Sequence, residues 1–154
     1  MYYQSAMTDY TTDTLKLIGH AHRSFARIVD NQLRELGFAM GQLPVLVALK
    51  QNRALPQAEL ARLARVEQSS MAQLLNRMER DGLVQRIADP DDKRSRMISL
   101  TDIASRRMPK GKAIMDATCE EALDGFSNAD IDQLRGLLLR INANLDRVAD
   151  EAAE

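Results

Sequence analysis

The sequence predicts a mainly α-helical fold with a small β-hairpin near its middle, and three observations support this prediction. The 154 residues suit one domain, because domains commonly hold roughly 100–150 residues. Aromatic residues are only 4% of the chain, so the core must consist mainly of aliphatic residues and Met. This composition favours helices. Apolar residues recur at steps of three or four in two long segments, while two short segments alternate in character as strands do.

The composition also narrows the classes of function. The longest uninterrupted apolar run, Val45–Leu49, is far shorter than the ~20 residues of a membrane span, and the amino terminus lacks a signal-peptide layout. A single cysteine, Cys119, excludes an internal disulfide, and two histidines exclude a zinc-finger set. We find no phosphate loop, nucleophile elbow or pair of catalytic carboxylates. We therefore expect a cytoplasmic protein that is not an enzyme and that uses no metal or cofactor.

A long helix is predicted from about Thr12 to Leu36, after a stretch at residues 1–11 that we expect to be loose. Gly37 is expected to end this helix. A helix of this length has too little protein around it to cover its apolar face, so we infer that part of it packs against another subunit. The apolar face comprises Leu15, Ile18, His22, Phe25, Val29, Leu33 and Leu36.

Two short helices are predicted next, separated by a chain break at Leu55-Pro56. The first, Met40–Gln51, has Pro44 in its first turn and apolar residues nearly all round, which predicts a buried helix. The second is Gln57–Ala64. Its inward residues are expected to be Leu60, Ala61 and Leu63.

A tight turn near Arg65–Gln68 leads into a further helix, which continues to Asp81 and which Ser69 or Ser70 is expected to cap. Two helices joined in this way form a helix-turn-helix. In the major groove of DNA, Gln and Asn pair with adenine, and Arg pairs with guanine or phosphate; a plain solvated face is the alternative interpretation. The inward residues are Met71, Leu74, Leu75 and Met78, and the outward ones are Gln68, Ser69, Ala72, Gln73, Asn76, Arg77 and Arg80.

A charged β-hairpin, or wing, is predicted to follow this helix. Gly82 suits the left-handed end of the helix, and the strands Leu83–Ala88 and Arg96–Leu100 are joined by the turn residues DPDDKRS. An arginine on such a wing enters the narrow minor groove beside the site read by the helix, whereas an ordinary charged turn is the alternative. The basic residues of the wing are Lys93, Arg94 and Arg96.

The net charge of −1 is divided unevenly along the chain. Residues 53–107 hold eleven Lys/Arg and eight Asp/Glu, a balance of +3, whereas residues 108–154 hold five and ten, a balance of −5. Affinity for phosphate depends on local positive potential rather than on total charge. The positive middle segment is therefore compatible with DNA binding, as it is with an ordinary solvated surface.

The carboxy-terminal part predicts two helices. The first runs from Asp102 to about Asp124, with a kink or restart near Met108–Gly111, because Pro109 removes a backbone donor. The residues Ser127 to Asp130 resemble a capping arrangement for the second. The apolar positions of the last helix are Ile131, Leu134, Leu138, Ile141, Leu145 and Val148.

The order of these elements, the phrase PQAELARLARVEQSSMAQLLNRMERDGLV and above all DPDDKRSRMISLT resemble the MarR family of winged-helix transcriptional regulators. The resemblance extends roughly from Leu15 to Val148. It implies a homodimer that binds a palindromic operator, with the helix around Ser69–Arg80 in the major groove and the wing in the minor groove. It also implies that Asp92 braces the wing and that Arg94 is directed into the groove.

Two positions depart from the family pattern. The chain has Thr101-Asp102-Ile103-Ala104 where the family usually has Thr-x-x-Gly, which favours helix more strongly. Pro56 stands where the family often has a Ser or Thr that caps the first helix of the DNA-reading pair. A hydroxyl that would face phosphate is therefore missing at that position.

The resemblance also implies an effector, because many family members release DNA when a small aromatic acid or phenolic compound binds. Candidate effector contacts are His20, His22, Arg23 and Arg27 on the first helix, since these residue types suit anions. His22 lies on the apolar face and is alternatively a core histidine. Cys119 is expected to be a buried, inert thiol, and a thiol-oxidation sensor is the alternative.

These observations predict a winged helix-turn-helix core at about residues 40–101, with flanking dimerisation helices at about 12–36 and 102–150, in one domain. The hypothesis is a homodimeric, sequence-specific, DNA-binding regulator, expected to be a repressor that a small aromatic or phenolic ligand releases from its operator. The alternatives are a dimeric interaction protein without DNA binding and a regulator that responds to oxidation of Cys119. The expected DNA contacts are Gln68, Ser69, Ser70, Gln73, Asn76, Arg77, Lys93, Arg94 and Arg96.

Overall fold

The computed structural model describes residues 2–92 and 96–152, with side chains described from Thr12 onward. The chain divides into two compact units, Met1–Thr118 and Cys119–Glu154, which are described separately below. The first unit contains five helices or parts of helices and a small sheet within the described residues. The second contains the end of one helix and a further long helix.

The first helix, α1, spans Tyr2–Leu33 and is followed by a 3-10 turn at Arg34–Leu36. The expectation that residues 1–11 are loose is therefore wrong for Tyr2 onward: with no proline or glycine before Gly19, nothing in the sequence ends the helix there. Gly37 ends the helical segment as expected. It adopts the left-handed region with φ of 73°, and its N–H donates to the Arg34 carbonyl at 3.0 Å.

Helix α2 spans Leu43–Asn52 after a 3-10 turn at Met40–Gln42, and Pro44 lies in its first turn as expected. The predicted break after it is instead a short strand, β1, at Ala54–Pro56. This strand pairs antiparallel with a strand formed more than forty residues later, so local pattern could not have predicted it.

Helix α3 spans Gln57–Ala64 and α4 spans Gln68–Arg80, so the helix-turn-helix lies where it was predicted. Gly82 has φ of 73° and ends α4 in the left-handed region. The wing strands are β2, Val84–Ala88, and β3, Arg96–Leu100, within one residue of their predicted bounds. In the described residues the sheet has the order β1-β3-β2, and both pairings are antiparallel.

The core of the first unit lies between α1, α2, α3, α4, the sheet and the first half of the next helix. The inner face of α4 is anchored in it, since Met71, Leu75 and Met78 are fully buried. Leu63, which was expected to face inward on α3, is 45% exposed, and this expectation is wrong. The helix is short, and Leu60 and Ala61 already fill the side of α3 that contacts the core.

Helix α5 spans Asp102–Ala122 without interruption, so of the kink or restart predicted near Met108–Gly111 the restart is wrong, while the kink stays a prediction. Ala104, Met108 and Gly111 are buried on both sides of the proline, and their packing holds the helix together across the missing hydrogen bond. Gly111 allows a close approach here, because a Cβ at this position would lie 3.3 Å from the Phe38 ring. Within the described residues, no helix is long and apolar enough to cross a membrane.

The second unit holds the last residues of α5 and helix α6, Asn128–Glu151. The predicted cap is confirmed: the Asp130 N–H donates to Ser127 Oγ at 3.2 Å, and the Ser127 N–H donates to Asp130 Oδ2 at 2.9 Å. No described residue of α6 is buried. Cys119 is exposed rather than buried, so that expectation is wrong: the apolar neighbours at Ala117 and Ala122 are themselves exposed and do not cover it.

Candidate DNA-binding surface

The exposed face of α4 carries most of the predicted DNA contacts that the structure describes. Its first turn begins at Gln68, two residues earlier than a cap at Ser69 would require, and Glu67 precedes it without a side-chain capping bond. The expectation that Ser69 or Ser70 caps α4 is therefore wrong, because both residues lie inside the first turn. The exposed predicted contacts on α4 are Gln68, Ser69, Ser70, Gln73, Asn76 and Arg77.

The amino ends of α3 and α4 are linked by a glutamine pair. Gln57 Nε2 lies 3.4 Å from Gln68 Oε1 and 3.5 Å from the Gln68 carbonyl oxygen. The bond orients the start of α4 against α3. It uses one lone pair of the Gln68 side-chain oxygen and leaves both hydrogens of that amide for a partner.

Three residues connect α4 to the base of the wing. Arg86, on β2, donates from Nη2 to Asn76 Oδ1 at 2.7 Å and pairs through Nη1 with Glu79. Asn76 and Glu79 lie three positions apart and so share one face of α4. Sequence reasoning did not single out Arg86 or Glu79, since the pairing joins two elements whose contact is decided by the fold.

Arg77 and Arg80 give α4 positive charge near its carboxy end. Arg80 Nε lies 3.4 Å from Asp81 Oδ1, whereas Arg77 is exposed and forms no ion pair within the described part of the chain. Cations near a helix carboxy terminus also stabilise it through the helix dipole. Arg77 is thus an available guanidinium on the exposed face of α4.

The described residues of the wing include Asp92 and Arg96. Arg96 is exposed at the start of β3, opposite Ala88. Lys93 and Arg94 lie outside the described residues. Asp89 Oδ1 accepts a hydrogen bond from the Asp91 N–H at 2.9 Å, which starts the turn after β2. The bracing role of Asp92 stays a prediction.

Arg62, on α3, is a less available cation than its exposure suggests. Its guanidinium donates two hydrogen bonds to Glu59, at 2.9 and 2.6 Å. These bonds are the main reason that the pKa of Glu59 is lowered and the pKa of Arg62 is raised. Because Glu59 neutralises its charge locally, Arg62 adds little to the positive potential beside α4.

Helix α1 carries the four predicted effector residues, His20, His22, Arg23 and Arg27. All four are exposed, so His22 is not a core histidine. Full burial on α1 begins at Val29. None of the four lines an apolar cavity of about 620 Å³ that lies between α2 and α5 in the first unit. Its lining residues are Phe38, Leu43, Leu46, Val47, Lys50, Gln51, Met108, Gly111, Lys112 and Met115.

Two lysines, Lys50 and Lys112, line this cavity. Lys50 is exposed at its edge, and Lys112 is paired with Asp116. No group of three or more His, Cys, Asp or Glu side chains able to hold a metal ion occurs in the part of the chain that the structure describes.

A helix-turn-helix followed by a two-stranded wing defines the winged-helix class of DNA-binding transcriptional regulators. Residues 38–95 match the model of the MarR family. A solved structure of a probable transcriptional regulator from Pseudomonas aeruginosa is 30% identical, with a TM-score of 0.73 over 81% of this chain and 93% of that one. The chain belongs to the MarR family of transcriptional regulators.

Two further relatives are informative. The chain is 25% identical over 135 residues to the HTH-type transcriptional regulator YybA of Bacillus subtilis, covering 88% of this chain and 90% of the relative. A cysteine-to-serine variant of MarR from E. coli, solved in complex with operator DNA, has a TM-score of 0.74 at 20% identity over 82% of this chain and 91% of that one. At 20% identity, the similarity to E. coli MarR shows a shared fold and nothing further.

Proposed function

We propose that this regulator is a homodimeric repressor that binds a palindromic operator and is released from it by a small aromatic or phenolic ligand. It acts by binding and not by catalysis. The observation that carries the proposal is the exposed face of α4: its amides, hydroxyls and Arg77 project from a helix whose other face is fixed in the core. A rigid helix with such a face matches the donor and acceptor pattern of the major groove.

Direct DNA contacts are assigned to two elements. The helix α4 reads base edges in the major groove, while the wing contacts the minor groove and phosphates and is braced by Asp92. The E. coli relative that was solved with operator DNA supports this arrangement through its shared fold. The proposed DNA contacts are Gln68, Ser69, Ser70, Gln73, Asn76, Arg77, Lys93, Arg94 and Arg96.

Uncovered apolar residues on α1 and on α6 support a homodimer. Leu15 and Leu17 are more than half exposed on α1, as are Leu145 and Val148 on α6. Long apolar stripes of this kind are usually covered by a partner. A second copy also provides the second DNA-reading helix that a palindromic operator requires.

The effector site is assigned to the cavity between α2 and α5. Its volume of about 620 Å³ suits a small aromatic molecule, and its walls are mostly apolar. Lys50, exposed at the edge, supplies a cation for a carboxylate or phenolate. The cavity lies between α5 and α2, the helix that supports the helix-turn-helix, so a ligand there could shift the position of α4. The histidines and arginines of α1 remain the competing assignment.

The test of DNA binding compares Arg77→Ala with Lys110→Ala, which removes the same charge from an exposed position of α5. We expect Arg77→Ala to weaken binding to the operator by about 1–3 kcal/mol. If Arg77 contacts a phosphate, the slope of log affinity against log salt concentration should fall by about one; if it contacts a base, the preference at that base pair should relax. Arg94→Ala should weaken binding by about the same amount. Fluorescence anisotropy with duplex DNA at several salt concentrations measures both quantities.

The control variant Lys110→Ala should keep nearly full affinity. If the wild-type chain binds no duplex DNA even at low salt, the proposal fails and the interaction-protein alternative is favoured. If the wild type binds DNA and both arginine variants bind equally well, the assignment of these contacts is wrong.

The test of the effector site compares Lys50→Met with the pair Arg23→Ala and Arg27→Ala. A panel of small aromatic acids is first screened for a rise in the midpoint of thermal unfolding, and the best compound is titrated by calorimetry. We expect Lys50→Met to reduce its affinity roughly ten-fold, because a partly exposed charged hydrogen bond is lost. If the α1 variants lose binding and Lys50→Met does not, the site lies at α1 instead.

A further inference from the structure

We propose that Arg86 sets the base preference of Asn76 by holding its side-chain amide in one orientation, so that the amide presents hydrogen-bond donors to DNA. This inference rests on the proposed DNA-reading role of α4. It assigns a positioning role to a residue of the wing strand β2, which itself is not expected to touch a base.

The geometry fixes the orientation of the amide chemically. A guanidinium has donors and no acceptor, so the atom of Asn76 that faces it must be the oxygen. The Nη2 to Oδ1 distance is 2.7 Å, a short charge-assisted bond. This bond uses one lone pair of the oxygen and leaves both hydrogens on Asn76 Nδ2 for a partner at this exposed position.

Arg86 is held in place from its other side. Its Nη1 pairs with Glu79, one turn further along the same face of α4. Both terminal nitrogens are therefore engaged by α4, and the side chain is 31% exposed. A guanidinium fixed by two partners on one helix keeps its geometry at lower entropic cost than one held by a single bond.

The consequence concerns which base Asn76 prefers. Bidentate pairing with adenine needs the Asn oxygen to accept from N6 and the Asn nitrogen to donate to N7. With one lone pair of its oxygen bound to Arg86, Asn76 faces a partner chiefly as a donor. Donors match the acceptors O6 and N7 of guanine and O4 of thymine, whereas adenine offers one acceptor, N7, beside the N6 donor. The sequence alone indicated adenine for an Asn in this helix, and the Arg86 contact reverses that expectation.

The experiment measures a complete base-substitution profile of the operator half-site for the full-length chain. The variants are Arg86→Met, which keeps the apolar stem and loses the donors, Asn76→Ala, and the double variant. Asn76→Ala identifies the base pair that Asn76 reads. At that base pair we expect the wild type to prefer guanine or thymine, and Arg86→Met to shift the preference toward adenine about ten-fold.

A matched control separates positioning from general stability. Arg80→Met removes an α4 guanidinium whose described partner is Asp81 and which makes no described hydrogen bond to Asn76, so the profile at the Asn76 base pair should not change. Arg86→Lys keeps a donor for the Asn76 oxygen and should retain the wild-type preference. The salt dependence should be equal in wild type and Arg86→Met, because Arg86 neutralises Glu79 rather than a phosphate.

Asn76→Asp provides a second measurement that leaves Arg86 in place. A carboxylate only accepts hydrogen bonds, so this variant should lose the guanine or thymine preference by about ten-fold or more at the same base pair. A wild-type preference for adenine there, or profiles of Arg86→Met and wild type that differ only by a uniform factor, would overturn the inference. Absence of any duplex binding by the wild type would overturn the proposed function itself.

Discussion

Ser127 and Asp130 show how much of this chain is determined by neighbouring residues. Their side chains and backbone N–H groups exchange hydrogen bonds at the start of α6, and Ser127 Oγ also lies 2.6 Å from Asp130 Oδ2. These bonds to the ionised carboxylate lower the pKa of Asp130, the side-chain bond from Ser127 being the larger cause. The cap was predictable because its partners are three residues apart.

Removal of the Ser127 hydroxyl should destabilise α6. Ser127→Ala is expected to cost about 1 kcal/mol, the usual effect of losing a side-chain cap. Thermal unfolding followed by circular dichroism at neutral pH measures the change. The control is Asn128→Ala, which changes the next residue and leaves both capping partners in place. A loss of stability in Asn128→Ala as large as that in Ser127→Ala would contradict the assignment of the effect to the hydroxyl.

The same cap predicts a pH dependence. Because the pKa of Asp130 is lower in the folded state than its ordinary value of 3.8, its contribution to stability is fully present above that value. The contribution is lost as the pH falls through the lowered folded pKa. Asp130→Asn should therefore be less stable than wild type at pH 7, with a smaller difference in the acid range. An equal difference at both pH values would contradict this assignment.

At the scale of elements, α4 has two faces with separate tasks. Its inner side chains fix the helix in the core, while its outer side chains are exposed for contact with DNA. The wing is joined to it by the Arg86 contacts and by the backbone, where the Leu83 N–H donates to the Met78 carbonyl at 2.8 Å. The position of the outer face thus depends on how well the inner face is packed.

A comparison of two leucines tests this division. Leu75 is fully buried on the inner face of α4, whereas Leu63 on α3 is 45% exposed. Leu75→Ala should lower the free energy of unfolding by about 2–5 kcal/mol, and Leu63→Ala by about 0.5 kcal/mol or less. Denaturant unfolding gives both values. Similar losses for the two variants would mean that Leu63 is covered in solution, for example by a partner.

At the scale of the whole molecule, the proposed dimer accounts for apolar residues that one chain leaves uncovered. Leu145 is 56% exposed and belongs to the stripe on α6, while Leu139 is 58% exposed and lies off it. In the dimer, two copies of α4 are expected about 34–36 Å apart, one turn of B-DNA. The two DNA-reading helices would then reach both halves of a palindrome.

Charge placed on the α6 stripe should separate the subunits. Leu145→Asp is expected to yield a monomer at micromolar concentration, because the carboxylate would be buried without a partner. Loss of the second half-site should weaken operator binding by about a hundred-fold or more. Analytical ultracentrifugation and anisotropy measure the two effects. The matched variant Leu139→Asp should remain dimeric; a monomeric wild type would refute the dimer.

Much of the fold was predictable from short stretches of sequence. The bounds of α3 and the ends at Gly37 and Gly82 follow from interactions within a few residues. The two wing strands follow from alternation within each strand and from the turn residues between them. The cap of α4 was predicted wrongly, because the helix begins one residue before the serines. Of the kink or restart predicted near Pro109, the restart was wrong, since packing of the flanking turns outweighs one missing hydrogen bond.

The sequence by itself determined the helix-turn-helix, the wing and the residue types on the exposed face of α4, because helical and strand periods are local properties. The tertiary structure alone decided the pairing of β1 with β3, the cavity between α2 and α5, and the contact of Arg86 with Asn76. Each of these joins residues that are distant in sequence or belong to different elements. Their proximity depends on how the elements pack, and no local pattern records it.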